Sequence, residues 1–132
     1  MTRYLLDTTV FLWNFVEPEK LSRAARALFD DPKDAVYLSA ASVWEISIKS
    51  SSGKLDLPEN ARNYVVKRAA PAGLVALSIT HEHAMRAGEL PRHHGDPFDR
   101  MLISQAQTEN MVLVTADRTI TKYSVQTLWA AK

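Results

Sequence analysis

The sequence predicts a compact α/β sandwich, with a parallel sheet covered by helices on both faces. Short, wholly apolar segments of strand length recur along the chain, and segments with helical spacing separate them. Strands that are apolar throughout belong in sheets buried on both faces, and those sheets are the parallel ones. A length of 132 residues with 46% hydrophobic content suits one domain over residues 1–132 with a core of its own.

Tyr4-Leu5-Leu6 is the first apolar run, closed by Asp7. Val10 to Phe15 has little polar relief and reads as a buried helical turn or two. Leu21 to Phe29 has helical spacing, with Ser22 or a neighbour to cap it and Asp30-Asp31-Pro32 to end it. Ala35 to Leu38 is a second strand. Ser39 to Ser50 is helical, and Ser51-Ser52-Gly53 supplies its stop. Pro58 opens a helix running through Tyr64 to Ala70, and Leu74 to Leu77 is a third strand. Thr80 to Ala87 is a short helix, and Pro91 to Gly95 a loop. Asp96-Pro97 opens a helix reaching about Glu109, with Asn110 as its end residue. Met111 to Val114 is a fourth strand, and Ser124 to Leu128 a candidate fifth. Right-handed crossovers then stack the helices on the sheet, and ligands gather beyond the carboxyl ends of its strands.

Composition narrows the chemistry. No cysteine is present, which excludes disulfide scaffolds, thiolate metal sites and cysteine nucleophiles. Sixteen Lys and Arg against fifteen Asp and Glu give a net charge of +1, unlike a strongly basic nucleic-acid binder. No apolar run approaches the roughly 18–20 residues that span a bilayer. Asp7 interrupts the apolar start and no small-residue cleavage site follows, so neither a membrane span nor a signal peptide is expected. A cytoplasmic, reducing location is the expectation.

Four acids draw attention because they follow strands or lie in helices that do. Asp7 stands directly after the first strand, where it also suits a helix N-cap. Asp117 lies three residues beyond Val114, where a turn or cap would equally account for it. In Asp96-Pro97-Phe98-Asp99, Asp96 suits the N-cap, and Asp99 in the first turn complements the helix dipole. Glu45 fits a capping box if its helix starts at Ser42, or an i, i+4 pair with Lys49. Its neighbours Ala41, Val43, Trp44, Ile46 and Ile48 are apolar, so burial would require a partner or a metal. Converging carboxylates repel unless a cation joins them. Oxygen ligands without cysteine favour Mg²⁺ or Mn²⁺, the usual apparatus of phosphodiester cleavage.

In this order and spacing, Leu5-Leu6-Asp7-Thr8, Ser42-Val43-Trp44-Glu45-Ile46, Gly95 to Ile103 and Leu113 to Asp117 resemble the PIN-domain ribonucleases, specifically the VapC-type toxins of bacterial toxin–antitoxin pairs. The resemblance implies a five-stranded parallel sheet and an acidic quartet of Asp7, Glu45, Asp99 and Asp117 that binds metal and cleaves RNA. It implies Asp7 and Asp99 as the main Mg²⁺ ligands, with Mn²⁺ as a substitute, and Asp96 as a cap or a contact through water. Thr8 and Thr115 would orient carboxylates, while Thr9 stands where relatives often carry Asn. A homodimer and a cognate antitoxin are further implications.

His81-Glu82-His83 and His93-His94 lie in different segments and make no recognisable zinc motif. Arg92, His93 and His94 precede Asp96 in a loop that is either solvated or touches phosphate. Arg100 and Arg118 each follow an acid of the quartet, to bind phosphate, steady the acids or form ion pairs. Trp13, Trp44 and Trp129 suit a core or an interface. A receiver-like signalling domain would want an acidic pair after the first strand and a late lysine, which Thr8-Thr9 and Thr115-Ala116-Asp117 do not supply. A catalytically silent RNA-binding module is the other alternative. Setting four acids aside for metal turns the net +1 into +5, an acidic pit in a mildly basic body.

Overall fold

The computed structural model describes residues 1–31 and 33–132. Five strands form one sheet: β1 (Arg3–Leu6), β2 (Ala35–Ser39), β3 (Val75–Leu77), β4 (Val112–Thr115) and β5 (Thr127–Trp129). Their order is β3-β2-β1-β4-β5, and every pairing is parallel. The helices are α1 (Thr8–Val16), α2 (Arg23–Asp30), α3 (Ala40–Ser51), α4 (Ala61–Ala69), α5 (His81–Glu89) and α6 (Pro97–Glu109). Among the described residues, no helix is long and apolar enough to cross a membrane.

Alternation along the strands explains the two layers. Leu6, Val36, Leu38 and Val114 face one side and pack with Val10 and Phe11 of α1, Ala25 of α2, Ile46 of α3 and Tyr64 of α4. Leu5 and Leu113 face the other side, against Leu102, Ile103 and Ala106 of α6. Both faces of the central strands β1, β2 and β4 are covered, so their sequences are mostly apolar, whereas the edge strands β3 and β5 are more exposed. Chain order reverses between β1 and β4, where successive crossovers diverge and leave a crevice beyond the strand ends.

Caps place most helix boundaries. Asp7, Ser22, Ser39, Asn60, Thr80 and Asp96 each accept a first-turn amide through the side chain. Asn110 closes α6 in the left-handed region at φ 55°, as its end position anticipates. Two boundaries differ from expectation, while α3 runs as the Ser39–Ser50 spacing predicts. α3 starts at Ala40 under Ser39, so Ser42 and Glu45 form no capping box. α4 starts at Ala61 rather than near Pro58, because Asn60 rather than Pro58 supplies the cap. The last strand begins at Thr127, three residues later than Ser124, where its pairing with Leu113 starts. Pro32, expected to help end α2, lies outside the described residues.

Gln105, fully buried in α6, ties the layers together. Its Oε1 accepts the Ser39 hydroxyl at 2.5 Å, and its Nε2 donates to the Ser78 carbonyl at 3.2 Å. Gln105→Leu keeps the volume but strips both groups of this partner, and should cost about 1–3 kcal/mol in urea unfolding. An unchanged midpoint would contradict that account. Tyr64 is the opposite case, because its buried hydroxyl has no hydrogen-bond partner among the described residues. Tyr64→Phe should therefore be neutral or stabilising by up to about 1 kcal/mol in the same measurement, and a clear loss would contradict it.

Candidate active site

Asp7 emerges at the carboxyl end of β1 and continues the ladder, its amide donating to the Val114 carbonyl at 2.9 Å. Its side chain caps α1 and also lies in the crevice. Oδ1 accepts the Thr9 amide at 3.1 Å, and Oδ2 accepts the Thr115 hydroxyl at 2.7 Å. The capping and site readings of this residue are therefore both satisfied by one carboxylate. Thr115 takes the orienting role its position suggested, whereas Thr8 does not: its hydroxyl donates to Ser42 Oγ at 2.8 Å.

Glu45, buried on α3, has one oxygen bound to Lys49 at 2.5 Å, so the i, i+4 pair does form. The other, Oε1, is buried with no hydrogen-bond partner among the described residues. Asp99 and Asp117 meet at His94, whose Nε2 lies 3.0 Å from Asp99 Oδ2 and 2.7 Å from Asp117 Oδ2. Asp117 Oδ1 also accepts the Thr119 amide at 2.8 Å. Asp96 caps α6, its Oδ1 accepting the amides of Phe98 and Asp99.

All four sequence-singled acids, with Asp96, line a single open cavity of about 370 Å³, together with Thr9, Trp13, Lys49, Ala116 and Arg118. Larger cavities lie elsewhere. One of about 590 Å³ runs past Arg86, Asn110 and Gln126, and lacks any such convergence of acids.

The electrostatics follow from this crowding. Burial pushes the Asp7 carboxyl above its ordinary value, against the pull of its Thr115 and Thr9 hydrogen bonds, and Glu45 and Asp117 add repulsion. Asp99 is pushed up to about 7, first by burial, then by the negative charges of Asp7 and Asp96, despite the facing His94. Asp117 goes the other way: burial would raise it, but hydrogen bonds from His94 and Thr119 outweigh that and lower it. The donors surrounding the pit match a hard divalent cation. They are carboxylate oxygens, one of them buried without a partner, and the chain has no cysteine.

Several residues depart from expectation. His94 sits inside the acidic cluster rather than in a solvated loop, and nothing in its spacing signals this, since a loop of five residues brings it there. Arg100 binds no acid among the described residues; its guanidinium donates to the carbonyls of Ala87, Leu90, Pro91 and His94. Arg118 lies 5.1 Å over the Trp129 ring and makes no ion pair among the described residues. Trp44, expected in a core or an interface, is 60% exposed and meets Phe98 edge-on. His83 is buried in the Thr80 cap and bound to Glu109, away from the acids.

Comparison with known proteins extends this picture. Ribonuclease VapC22 of Mycobacterium tuberculosis is 31% identical over 119 residues, 89% of each chain. Ribonuclease VapC16 of the same organism is 43% identical over 58 residues, 44% of this chain and 41% of that one, so this chain spans less than half of that relative. In fold, the chain is similar to VapBC2 from Rickettsia felis, solved bound to a DNA fragment from its promoter. There the TM-score is 0.72 at 14% identity, covering 98% of this chain and 99% of that chain. The PIN domain model matches residues 4–125, and the chain belongs to the PIN domain family.

Proposed function

We propose that this chain is a divalent-metal-dependent endoribonuclease, the toxin of a toxin–antitoxin pair. The observation that carries the reading is the acidic cavity at the β1–β4 crevice, with the partnerless buried Oε1 of Glu45 among its walls. The relatives named ribonucleases support RNA as the substrate class. The neighbour VapBC2 supports an antitoxin partner.

Asp7 and Asp99 would hold Mg²⁺ or Mn²⁺, with Glu45 and Asp117 completing the site or positioning the attacking water. When bound, the cation offsets charge on the phosphate and makes water a better nucleophile. The overall reaction adds water across one phosphodiester: a new P–O bond forms, a bridging P–O bond breaks, and the leaving oxygen takes a proton. Thr115 and the Thr9 amide fix the orientation of Asp7, so its carboxylate need not reorganise during the reaction. Lys49 and Arg118 on the cavity wall set positive charge where an RNA backbone would lie.

Asp7→Asn should lower cleavage of an RNA panel in Mg²⁺ by about 10²-fold or more, the scale of a lost electrostatic group. Retained activity would sink the assignment. Asp99→Asn separates catalysis from folding. Its carboxyl is held above its ordinary value, so in metal-free protein ionisation costs stability as pH rises from about 4 to about 7. The variant should therefore melt no lower than wild type at pH 8 without metal, yet cleave no RNA.

The same shift sets the pH dependence of cation binding. Below about 7 the cation must displace a proton from Asp99. Calorimetric Mn²⁺ affinity should accordingly rise about 30-fold between pH 5.5 and pH 8 from this group alone. A flat profile would place the cation away from Asp99.

A further inference from the structure

The loop 91–95 is held down more heavily than a short connection requires. The Tyr123 hydroxyl donates to the Pro91 carbonyl at 2.7 Å and accepts the amides of His93 at 3.1 Å and His94 at 2.8 Å. From the other side, Arg100 donates to the carbonyls of Pro91 at 3.0 Å and His94 at 3.3 Å. The product of this anchoring is one fixed imidazole, 15% exposed, between two carboxylates of the pit.

The donor atoms of His94, Asp99 and Asp117 lie within 4.8 Å of one another, close enough for all three to grip a metal. A fourth contact argues against the imidazole as a ligand. His94 Nδ1 accepts the backbone amide of Asp96 at 3.1 Å. A nitrogen that accepts an N–H carries no proton, so the ring proton sits on Nε2. That N–H donates to Asp117 Oδ2 at 2.7 Å, with Asp99 Oδ2 3.0 Å away, and a protonated nitrogen has no lone pair to give a metal.

The arrangement occurs twice in the chain. His83 Nδ1 accepts the amide of Thr80, the N-cap of α5, at 3.0 Å, while its Nε2 meets Glu109 at 2.8 Å. His94 does the same at Asp96, the N-cap of α6. In each case an N-cap amide fixes the tautomer and turns the far nitrogen into a donor toward a carboxylate.

We infer that His94 is a positioning residue whose Nε2–H holds Asp117 beside Asp99 and leaves Asp7, Glu45 Oε1 and Asp99 to the cation. This inference rests on the metal-dependent reading above. The clamp holds Asp117 by a hydrogen bond beside Asp99, with Tyr123 and Arg100 as its mount. Its effect is to shape the oxygen donor set before any cation arrives, as partners behind metal ligands do.

Three measurements on the intact chain test it. In ¹⁵N-histidine spectra of metal-free protein, His94 should show a protonated Nε2 and a bare Nδ1; a bare Nε2 overturns the inference. In Mn²⁺ titrations, His94→Gln places an amide N–H where Nε2–H stood and should keep affinity within about 3-fold, whereas His94→Ala should lose about 10-fold or more. Gln behaving as Ala does, or equal affinity in all three proteins, overturns it. Pulsed EPR of the Mn²⁺-loaded wild type should show no directly bonded imidazole nitrogen, and such a coupling, lost in His94→Gln, would make His94 a ligand instead. Wild-type protein that binds no Mn²⁺ overturns the metal reading and this inference together, whereas the other adverse outcomes overturn this inference alone.

Discussion

Carboxylates that repel one another must be held within one small cavity, and much of the structure around the β1–β4 crevice answers that constraint. Repulsion and burial act together on Asp7 and Asp99, both displaced toward the protonated form. Each acid is therefore met by a donor that fixes it. The Thr115 hydroxyl and Thr9 amide hold Asp7, Lys49 holds Glu45, and His94 holds Asp117 and faces Asp99 at 3.0 Å. What remains uncompensated, above all Glu45 Oε1, is what a cation would satisfy.

The sheet supplies the place for this cluster. β1 and β4 are neighbours although more than a hundred residues separate Asp7 from Thr115 in sequence. Their parallel pairing brings both carboxyl ends to one edge, and the reversal of strand order there keeps the crossovers out of the crevice. α3 and α6, from opposite layers, then contribute Glu45 and Asp99 from the sides. Helix capping and site chemistry share residues: Asp7 and Asp96 each stabilise a helix N-terminus and line the cavity. A substitution at Asp7 therefore touches α1 as well as the pit, which is why paired stability and activity measurements are needed to read it.

Much of the fold was legible in the chain itself. The apolar runs at Tyr4–Leu6, Ala35–Leu38 and Met111–Val114 became central strands because burial on both faces leaves no room for polar alternation. Asp96-Pro97 and Asn110 marked the ends of α6, since capping and left-handed termination are local chemistry. α3 runs where its spacing placed it, but Ser39 rather than Ser42 meets the first-turn amide, because two serines three residues apart offer the backbone the same hydroxyl.

Local pattern by itself thus determined the strands, half of the N-caps, and the four acids as residues worth watching. Only the tertiary structure decided which groups answer them. Thr115 reaching Asp7, His94 reaching Asp99 and Asp117, and Arg100 gripping carbonyls instead of acids depend on long-range pairing and loop anchoring. Short-range propensity carries no record of such contacts, because a hydrogen bond between distant segments exists only once the sheet has brought its strand ends together.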